Sequence, residues 1–329
     1  MAKIVSADLI KTLWLLFLIG VGLALSVIAY TIYDNNRIVV IRQEVQIEGL
    51  PEAFEGFTVL QISDLHGKRF GERQEKLVNL INGLDFDMIA ITGDMNHYWR
   101  RDSTPLVELL RGIEHKEYVF YTAGNTGPFD MEVLTGKITA DGVRLRDEGC
   151  ILLDKPYPII REGNTLWIAE YFSAYEADRL LSMLLEEEDS DEKSALQLWL
   201  NRVDEVKEQY HNIPNEDVLI AVTHFPLSEA TLNDLRQGDF PHYDLVIAGH
   251  YHGGQLRLPL IGALWIPAPY LPRGGLFPPQ DVVSGLVKGK NTQQYISRGL
   301  GASSRLPWLT FRLFNSPEVN LITLKRQDK

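Results

Sequence analysis

The stretch FTVLQISDLH, residues 57–66, joins a short apolar run to two residue types that bind metals, Asp64 and His66. Short runs rich in Val, Ile and Ala are typical of strands buried on both faces. Stretches of helical composition near 72–83 and 104–113 lie between the first three apolar runs of the chain. This alternation of strands and helices predicts an α/β layered domain. The further runs are DMIAIT (87–92), EYVFYTA (117–123), DVLIAVT (217–223) and YDLVIAG (243–249).

A potential metal ligand follows every one of these runs. A single His or Asp there is more often a cap or a loop hydrogen-bonder, but a repeated pattern at five strand ends indicates a shared site. The carboxyl ends of strands in an open α/β sheet converge, and D-x-H or H-x-H spacing places two side chains on the same side of an extended backbone. Carboxylate, carboxamide and imidazole together suit Mn, Fe or Zn. The seven residues are Asp64, His66, Asp94, Asn125, His224, His250 and His252.

These motifs resemble the calcineurin-like metallophosphoesterase superfamily, whose pattern is D-x-H, G-D, G-N-H, a lone H and G-H-x-H. The resemblance covers residues 57–324 and extends to a membrane-associated branch related to phosphoesterases of UDP-diacylglucosamine or other cell-envelope substrates. The segments SRGLG (297–301) and PEVNLITL (317–324) carry the branch resemblance, together with GGQ after the last histidine motif. The implied fold is a two-sheet αββα sandwich with outer helices, in which residues 286–324 complete the second sheet.

The resemblance also implies a ligand set and a mechanism. One divalent ion is held by Asp64, His66, Asp94 and His252, and the second by Asp94, Asn125, His224 and His250, with Asp94 bridging. Two such ions about 3.5–4 Å apart clamp a phosphoryl oxygen and lower the pKa of a bound water, and the metal-activated hydroxide then attacks phosphorus. Asp94 and Asn125 are thereby expected to be catalytic.

The residue after Asn125 departs from the family pattern. Family members usually have a histidine there that binds phosphate and protonates the leaving group, whereas this chain has Thr126. A hydroxyl is not a general acid near neutral pH, and losing that acid lowers the rate by about 10²–10⁴. A pyrophosphate, whose leaving group is already a stable anion, is therefore favoured over an alkyl phosphate.

Three residues are candidates for the functions that the missing histidine leaves open. His97 lies three residues after Asp94 and is either a substitute proton donor or an exposed loop residue. Thr126 itself is a candidate phosphate contact. Arg298, within the SRGLG segment, is either a phosphate-facing cation or a structural charge.

A charge-free segment, LWLLFLIGVGLALSVIAYTIY (13–33), runs for 21 residues near the N-terminus. As a helix it is about 31 Å long, enough for a bilayer core. The segment is longer than a usual signal-peptide core and lacks a small-x-small cleavage site, so an uncleaved anchor is expected. We expect residues 1–37 to form the cytoplasmic tip and anchor, and residues 38–329 the metallophosphoesterase domain. The positive charges on the two sides of the segment are nearly balanced. The small excess on its N-terminal side favours a cytoplasmic N-terminus and an extracytoplasmic domain.

Composition excludes one class of partner. The chain has 329 residues and a net charge of −12, without a basic block, so binding to nucleic acid is not expected.

The neighbours of the single cysteine, Cys150, indicate a buried thiol. The acidic stretch 173–211 is expected to be a solvated helical excursion. Residues 256–280, rich in Pro and Gly, predict either a buried wrapping loop or an exposed apolar surface facing lipid or an apolar substrate.

Three functions follow from these features. The first is a membrane-anchored phosphohydrolase with two metals that acts on an envelope or lipid-linked phosphoester or pyrophosphate. The alternative is a catalytically weak metal-binding protein that binds a phosphorylated ligand or partner at the membrane, which Thr126 motivates. A cytosolic nuclease is disfavoured by the charge and by the anchor.

Overall fold

The computed structural model describes residues 7–132, 137–171, 193–194, 197, 201, 204–205, 208–234, 242–267, 275–290, 292–304 and 309–327. Its helices with defined bounds are α1 (Ala7–Asn35), α2 (Glu75–Asn82), α3 (Thr104–Gly112), α4 (Ala140–Asp147) and α5 (Glu229–Asp234). Short 3-10 turns occupy Glu52–Phe54, Glu72–Gln74, His252–Gly254 and Gln280–Val282.

The strands follow one another along the chain with short connections in the first half. They are β1 (Val39–Ile47), β2 (Thr58–Ile62), β3 (Met88–Thr92), β4 (Val119–Thr122), β5 (Cys150–Leu152), β6 (Tyr157–Arg161), β7 (Asn164–Glu170), β8 (Val218–Val222), β9 (Leu245–Ala248), β10 (Arg257–Leu258), β11 (Gly262–Ala263), β12 (Gly285–Lys288), β13 (Gln293–Ile296) and β14 (Glu318–Arg326).

Two six-stranded sheets form the body of the domain. The first has the order β1-β14-β2-β3-β4-β5 and the second the order β12-β13-β9-β8-β7-β6. Strands β2 to β5 are parallel, as are β7, β8, β9 and β13. The predicted α/β class with two sheets is confirmed, and all five apolar runs form buried strands that end within a few residues of the predicted positions.

The two sheets pack face to face. Buried side chains of the first sheet, such as Val59 and Phe120, share one apolar cluster with Ile168, Ile220 and Ile247 of the second. A second cluster lies on the outer face of the first sheet, under α2 and α3, and includes Leu77 and Leu109. Residues buried on both sides explain why these strands are apolar throughout instead of alternating.

One expectation for the C-terminal strands is wrong. Strands β12 and β13 complete the second sheet as predicted, but β14 belongs to the first sheet, where it pairs parallel to β1 and antiparallel to β2. An apolar run of this kind suits a central strand of either sheet, so composition alone does not assign it.

Three further predictions concern Cys150, the acidic stretch 173–211 and the 256–280 segment. Cys150 is a free, buried thiol, and burial raises its pKa to about 12. Most of the acidic stretch 173–211 lies outside the described residues, although 208–211 are helical. In the 256–280 segment, residues 268–274 lie outside the described residues, and the remainder forms the β10–β11 hairpin and an exposed apolar surface. This surface, called the lip below, consists of Leu260, Ile261, Trp265, Leu276 and Phe277.

Helix α1 is long and apolar enough over Asp8–Asn35 to cross a membrane, and a signal sequence near the N-terminus meets the same criteria. Its last residue is joined to the domain by reciprocal hydrogen bonds. The Asn35 side chain donates Nδ2–H to the Arg312 carbonyl (2.6 Å) and accepts the Arg312 backbone N–H (2.9 Å). Lys68 donates to the Asn35 carbonyl. The end of α1 is therefore fixed to the domain.

The Arg312 side chain is fully buried and donates to four backbone carbonyls. These belong to Gly301 (2.6 Å), Arg298 (2.7 Å), Asn315 (2.8 Å) and His252 (3.1 Å). Arg312 thus joins the end of α1 to the turn that carries the last histidine motif. A planar guanidinium with five donors is the side chain best suited to satisfy several carbonyls at once.

We predict that Arg312→Met lowers the free energy of unfolding by about 3 kcal/mol or more, because each buried carbonyl left without a donor costs about 1–3 kcal/mol. Urea unfolding of the full chain in detergent, followed by tryptophan fluorescence, measures the change. Arg42→Met, on the exposed side of β1, is the matched control and is expected to change little. A loss for Arg312→Met below about 1 kcal/mol, the typical net value of one hydrogen bond, would contradict this account.

Candidate metal centre

The carboxyl ends of five strands meet at one edge of the sandwich and bring the candidate ligands together. The loops after β2, β3 and β4 come from the first sheet, and those after β8 and β9 come from the second. Two buried clusters result, in each of which the ligand atoms all lie within 4.8 Å of one another. One cluster is Asp64, His66 and His252, and the other is Asp94, His224 and His250.

The first cluster is closely packed. His66 Nε2 lies 3.3 Å from His252 Nε2, and Asp64 Oδ1 lies 3.6 Å from the same His252 atom. The Ser63 hydroxyl donates to Asp64 Oδ2 at 2.5 Å, which fixes the carboxylate and leaves Oδ1 facing the histidines. The cluster therefore presents one carboxylate oxygen and two ring nitrogens to a common point.

The second cluster has a similar set of atoms and includes the predicted amide. His224 Nε2 lies 3.0 Å from both Asn125 Oδ1 and His250 Nδ1. His224 Nδ1 faces the Thr92 carbonyl at 2.8 Å. Hydrogen bonding at Nδ1 fixes the tautomer that presents an Nε2 lone pair to a cation.

Asp94 lies between the two clusters. Its Oδ2 is 3.6 Å from His66 Nε2 and 3.4 Å from His224 Nε2. Its Oδ1 accepts the backbone N–H groups of Asn125 and Thr126, each at 2.7 Å. One oxygen is thus held by the loop after β4, and the other faces both clusters. Burial opposes ionisation, but the hydrogen bond and charge of His224 keep the pKa of Asp94 below its usual range.

The backbone at the ligands differs from the extended conformation that the D-x-H and H-x-H spacing suggested. Asp64, His66, Asp94, His250 and His252 all have positive φ, between 48° and 70°. L-residues rarely adopt this left-handed region, and the backbone strain of such residues concentrates at functional sites. The extended-backbone interpretation is therefore wrong. His250 and His252 lie in different clusters.

Adjacent glycines allow this close approach. A Cβ on Gly249 would lie 2.1 Å from Ser63 Oγ, and a Cβ on Gly299 would lie 2.6 Å from Asp64 Cβ. These positions lie within the GH and SRGLG motifs. Small residues there keep the carboxylate of the first cluster in place.

The chemistry of the two clusters fits divalent cations. Burial lowers the pKa of His66 to about 4 and that of His250 to about 3, so their rings are neutral near pH 7, as metal ligands must be. Burial also lowers the pKa of His252, and the neutral rings of His66 and His252 place nitrogen atoms face to face at 3.3 Å, an arrangement that a cation between them stabilises. Despite burial, the hydrogen bond and charge of Asp94 raise the pKa of His224. Six buried ligand residues of the two clusters, with Asn125, would hold two ions.

The Thr126 hydroxyl has a partner within the protein. It donates to the Asn96 carbonyl at 2.9 Å, and the residue is buried. His66 Nδ1 faces the same carbonyl at 3.2 Å. Thr126 therefore supports the loop that orients His66, and its role as a phosphate contact stays a prediction.

His97 and Arg298 both lie at the rim of the centre. The His97 backbone is 3.4 Å from the position of a Cβ on Gly67, the residue after His66, and its Nδ1 accepts the Trp99 backbone N–H. In the neutral ring Nε2 then carries the proton. The Arg298 side chain packs over Gly253 and pairs with Glu318 at 3.7 Å and with Ser284, an arrangement that suits a structural charge.

Several supporting residues were missed by sequence reasoning. Asn96 orients His66, Ser63 holds Asp64, and both Arg312 and Asn315 donate to the His252 carbonyl. Asn96 and Ser63 lie next to recognised motifs, which is a usable signal. Arg312 is 60 residues from His252 in sequence, and nothing in its local composition indicates the contact.

Comparison with known proteins identifies proteins that are similar to this chain. The chain is 24% identical to the uncharacterized metallophosphoesterase YkuE of Bacillus subtilis (strain 168) over 294 residues, covering 84% of this chain and 82% of YkuE. It is 25% identical to YkoQ of the same organism over 279 residues, covering 83% and 85%. The crystal structure of phosphopantetheinyl hydrolase (PptH) from Mycobacterium tuberculosis matches with a TM-score of 0.40 and 13% identity, covering 79% of this chain and 96% of that one.

The family itself is shown by a match over more than half of the chain. The model of the calcineurin-like phosphoesterase family matches residues 57–254, which include all five strand ends of the centre. Members use two divalent metal ions, and the two Asp/His clusters provide places for them. The chain belongs to the calcineurin-like phosphoesterase family and is a metal-dependent phosphoesterase.

Proposed function

We propose that this phosphoesterase is anchored in a membrane by α1 and hydrolyses a phosphoester or pyrophosphate of an envelope or lipid-linked substrate. The observation that carries the proposal is the position of Asp94 between two buried Asp/His clusters. Helix α1 and the lip support the membrane part, since both present large apolar side chains without protein cover. The extracytoplasmic position of the domain rests on the weak asymmetry of flanking cations.

We assign the ligands as follows. Asp64, His66 and His252 would hold one ion, and Asn125, His224 and His250 would hold the other; Asp94 Oδ2 faces both sets. Bound divalent ions supply Lewis acidity and lower the pKa of a bound water. The protein holds the ligands in place: backbone amides fix Asp94 Oδ1, and carbonyls of Asn96 and Thr92 fix His66 and His224.

The site provides no strong general acid to protonate the leaving group among the residues that the structure describes. The Thr126 hydroxyl donates to Asn96 and has no useful acidity. His97 is the candidate donor at the rim, and it would have to act as the imidazolium, because the N–H of a neutral ring has no useful acidity. Without a strong acid, the centre suits a substrate whose leaving group is stable as an anion, which a pyrophosphate provides.

The Thr126 contact also favours a second function, a metal-binding protein with weak turnover that binds a phosphorylated ligand at the membrane. The loop after β4 retains the candidate ligand Asn125, whereas the hydroxyl of the next residue, Thr126, donates to a backbone carbonyl of the protein. Turnover of an activated substrate separates the two functions.

We predict that Asp94→Asn removes hydrolysis of bis(4-nitrophenyl) phosphate by the Mn²⁺-loaded enzyme, with a loss greater than about 100-fold, the upper effect of groups that only support a ligand. Bound Mn²⁺, measured by elemental analysis, is expected to fall as well, because Asp94 contributes to both ions. Asp85→Asn, on an exposed carboxylate, should leave both quantities unchanged. Full activity in Asp94→Asn would disprove the ligand assignment.

We predict that Thr126→Val changes kcat for the same activated diester by less than about threefold, because the hydroxyl donates to the protein and not to the leaving group. Thr126→His is expected to raise hydrolysis of an unactivated alkyl phosphate selectively, by about 10-fold or more, by restoring a general acid. Steady-state kinetics on both substrates measure these effects. A large loss in Thr126→Val with Mn²⁺ binding unchanged would show that the hydroxyl contacts substrate. An inert wild type with metal bound would favour the second function.

A further inference from the structure

The lip is a cluster of large apolar side chains at one side of the domain. Leu260 and Ile261 lie at the tip of the β10–β11 hairpin, and both are exposed. Trp265 and Leu276 are exposed neighbours joined by a β-bridge, with Phe277 beside them. A contiguous exposed apolar group of this kind marks a surface that contacts a partner or a membrane.

The lip lies next to the end of α1. The backbone of Arg257, at the start of the hairpin, donates to the Leu313 carbonyl at 3.0 Å, and Leu313 donates to the Gln255 carbonyl at 3.1 Å. The next residue, Phe314, packs against Tyr30 in the last turns of α1, with ring centroids 5.4 Å apart. One short segment, 312–314, thus contacts both the base of the hairpin and the last turns of the apolar helix.

An apolar cavity of about 710 Å³ opens beside the lip. Its apolar lining includes Leu227, Tyr251, Leu276, Val282 and Val287. The volume lies within the roughly 300–1,000 Å³ typical of ligand pockets. Gln294 also lines it, but both ends of its amide bond the Leu227 backbone, with 2.9 Å contacts, so this polar group is already satisfied.

The cavity shares Leu276 with the lip and Tyr251 with the surroundings of the metal centre, where the Tyr251 and His250 ring centroids are 6.0 Å apart. Leu276 both lines the cavity and is 62% exposed as part of the lip. At the other side, Tyr251 lies between the ligands His250 and His252, and Leu227 follows His224 by three residues. A ligand in this cavity would therefore extend from the region of the metal ligands to the apolar surface beside α1.

We propose that the cavity binds the alkyl chain of a membrane-borne phosphorylated lipid while the lip dips into the same membrane leaflet from which α1 emerges. The proposal rests on the proposed function, since it places the phosphate of that lipid at the metal centre. Lipid is the occupant because the cavity is lined mainly by apolar groups, continues into the lip and lies beside the end of the apolar helix. Because α1 is fixed through Asn35 and Arg312, the opening keeps a constant position relative to the bilayer.

Photolabelling of the full chain in phosphatidylcholine vesicles tests this proposal without requiring turnover. The probe is hexadecyl phosphate with a diazirine midway along its chain, and the labelled peptides are identified by mass spectrometry. Labelling of α1 serves as the internal standard for contact with the bilayer. We expect labelling of cavity residues such as Leu227 and Val287, and at least fivefold less of it, relative to α1, with a diazirine hexadecanol that lacks the phosphate.

Leu276→Asp should lower cavity labelling relative to α1 at least fivefold, because a carboxylate then occupies the opening. Ile160→Asp is the matched control: Ile160 is 65% exposed on β6 and does not line the cavity among the described residues. Labelling confined to α1, or equal cavity labelling in Leu276→Asp and wild type, would overturn the proposal. Cavity labelling by a protein that fails to hydrolyse the activated diester would instead support the cavity and reject the proposed hydrolase.

Discussion

The candidate metal centre depends on the different contacts of the two carboxylate oxygens of Asp94. Oδ1 is held by two backbone amides of the loop after β4, at 2.7 Å each. Oδ2 is left within 3.4–3.6 Å of a histidine from each cluster. Burial opposes the charge of this carboxylate, and without a metal ion the hydrogen bond and charge of His224 are its main compensation. The same arrangement becomes favourable when two divalent ions occupy the space between these ligands.

This constraint explains why so many ligands have left-handed backbones. Strands of two sheets end at the centre from both sides, and Asp64, Asp94 and His250 each lie two residues after the end of a strand, where the chain turns back towards the middle. Positive φ at Asp64, Asp94 and His250 achieves this turn, and Gly249 leaves room for it. Such conformations are disfavoured for L-residues, so the surrounding packing has to hold them, as Arg312 does through the His252 carbonyl.

Much of the fold and of the site could be predicted from the sequence because the signals are local. Short apolar runs identified the buried strands, and the polar residues that follow them identified the ligands. Long-range choices were less accessible. The position of β14 in the first sheet, and the contact of Arg312 with His252, depend on how distant segments pack. The conformation of the ligands was also missed, since spacing gives the order of side chains and not their φ.

Hydrogen bonds link helix α1 to the candidate metal centre. The end of α1 is bonded to Arg312, and Arg312 is bonded to the turn of His252. Helix α1 therefore has a fixed position relative to the candidate metal centre. If α1 anchors the protein in a membrane, as proposed, a substrate that remains in the bilayer would meet the centre at a fixed place beside the lip.

Electron paramagnetic resonance of the full chain titrated with Mn²⁺ tests the central claim most directly, because magnetic exchange requires ions that share a ligand. If Asp94 Oδ2 contacts both ions, the loaded protein should bind two Mn²⁺ and show the multiline spectrum of an exchange-coupled pair. A single bound Mn²⁺, or two ions that give only independent six-line spectra, would contradict the bridged centre.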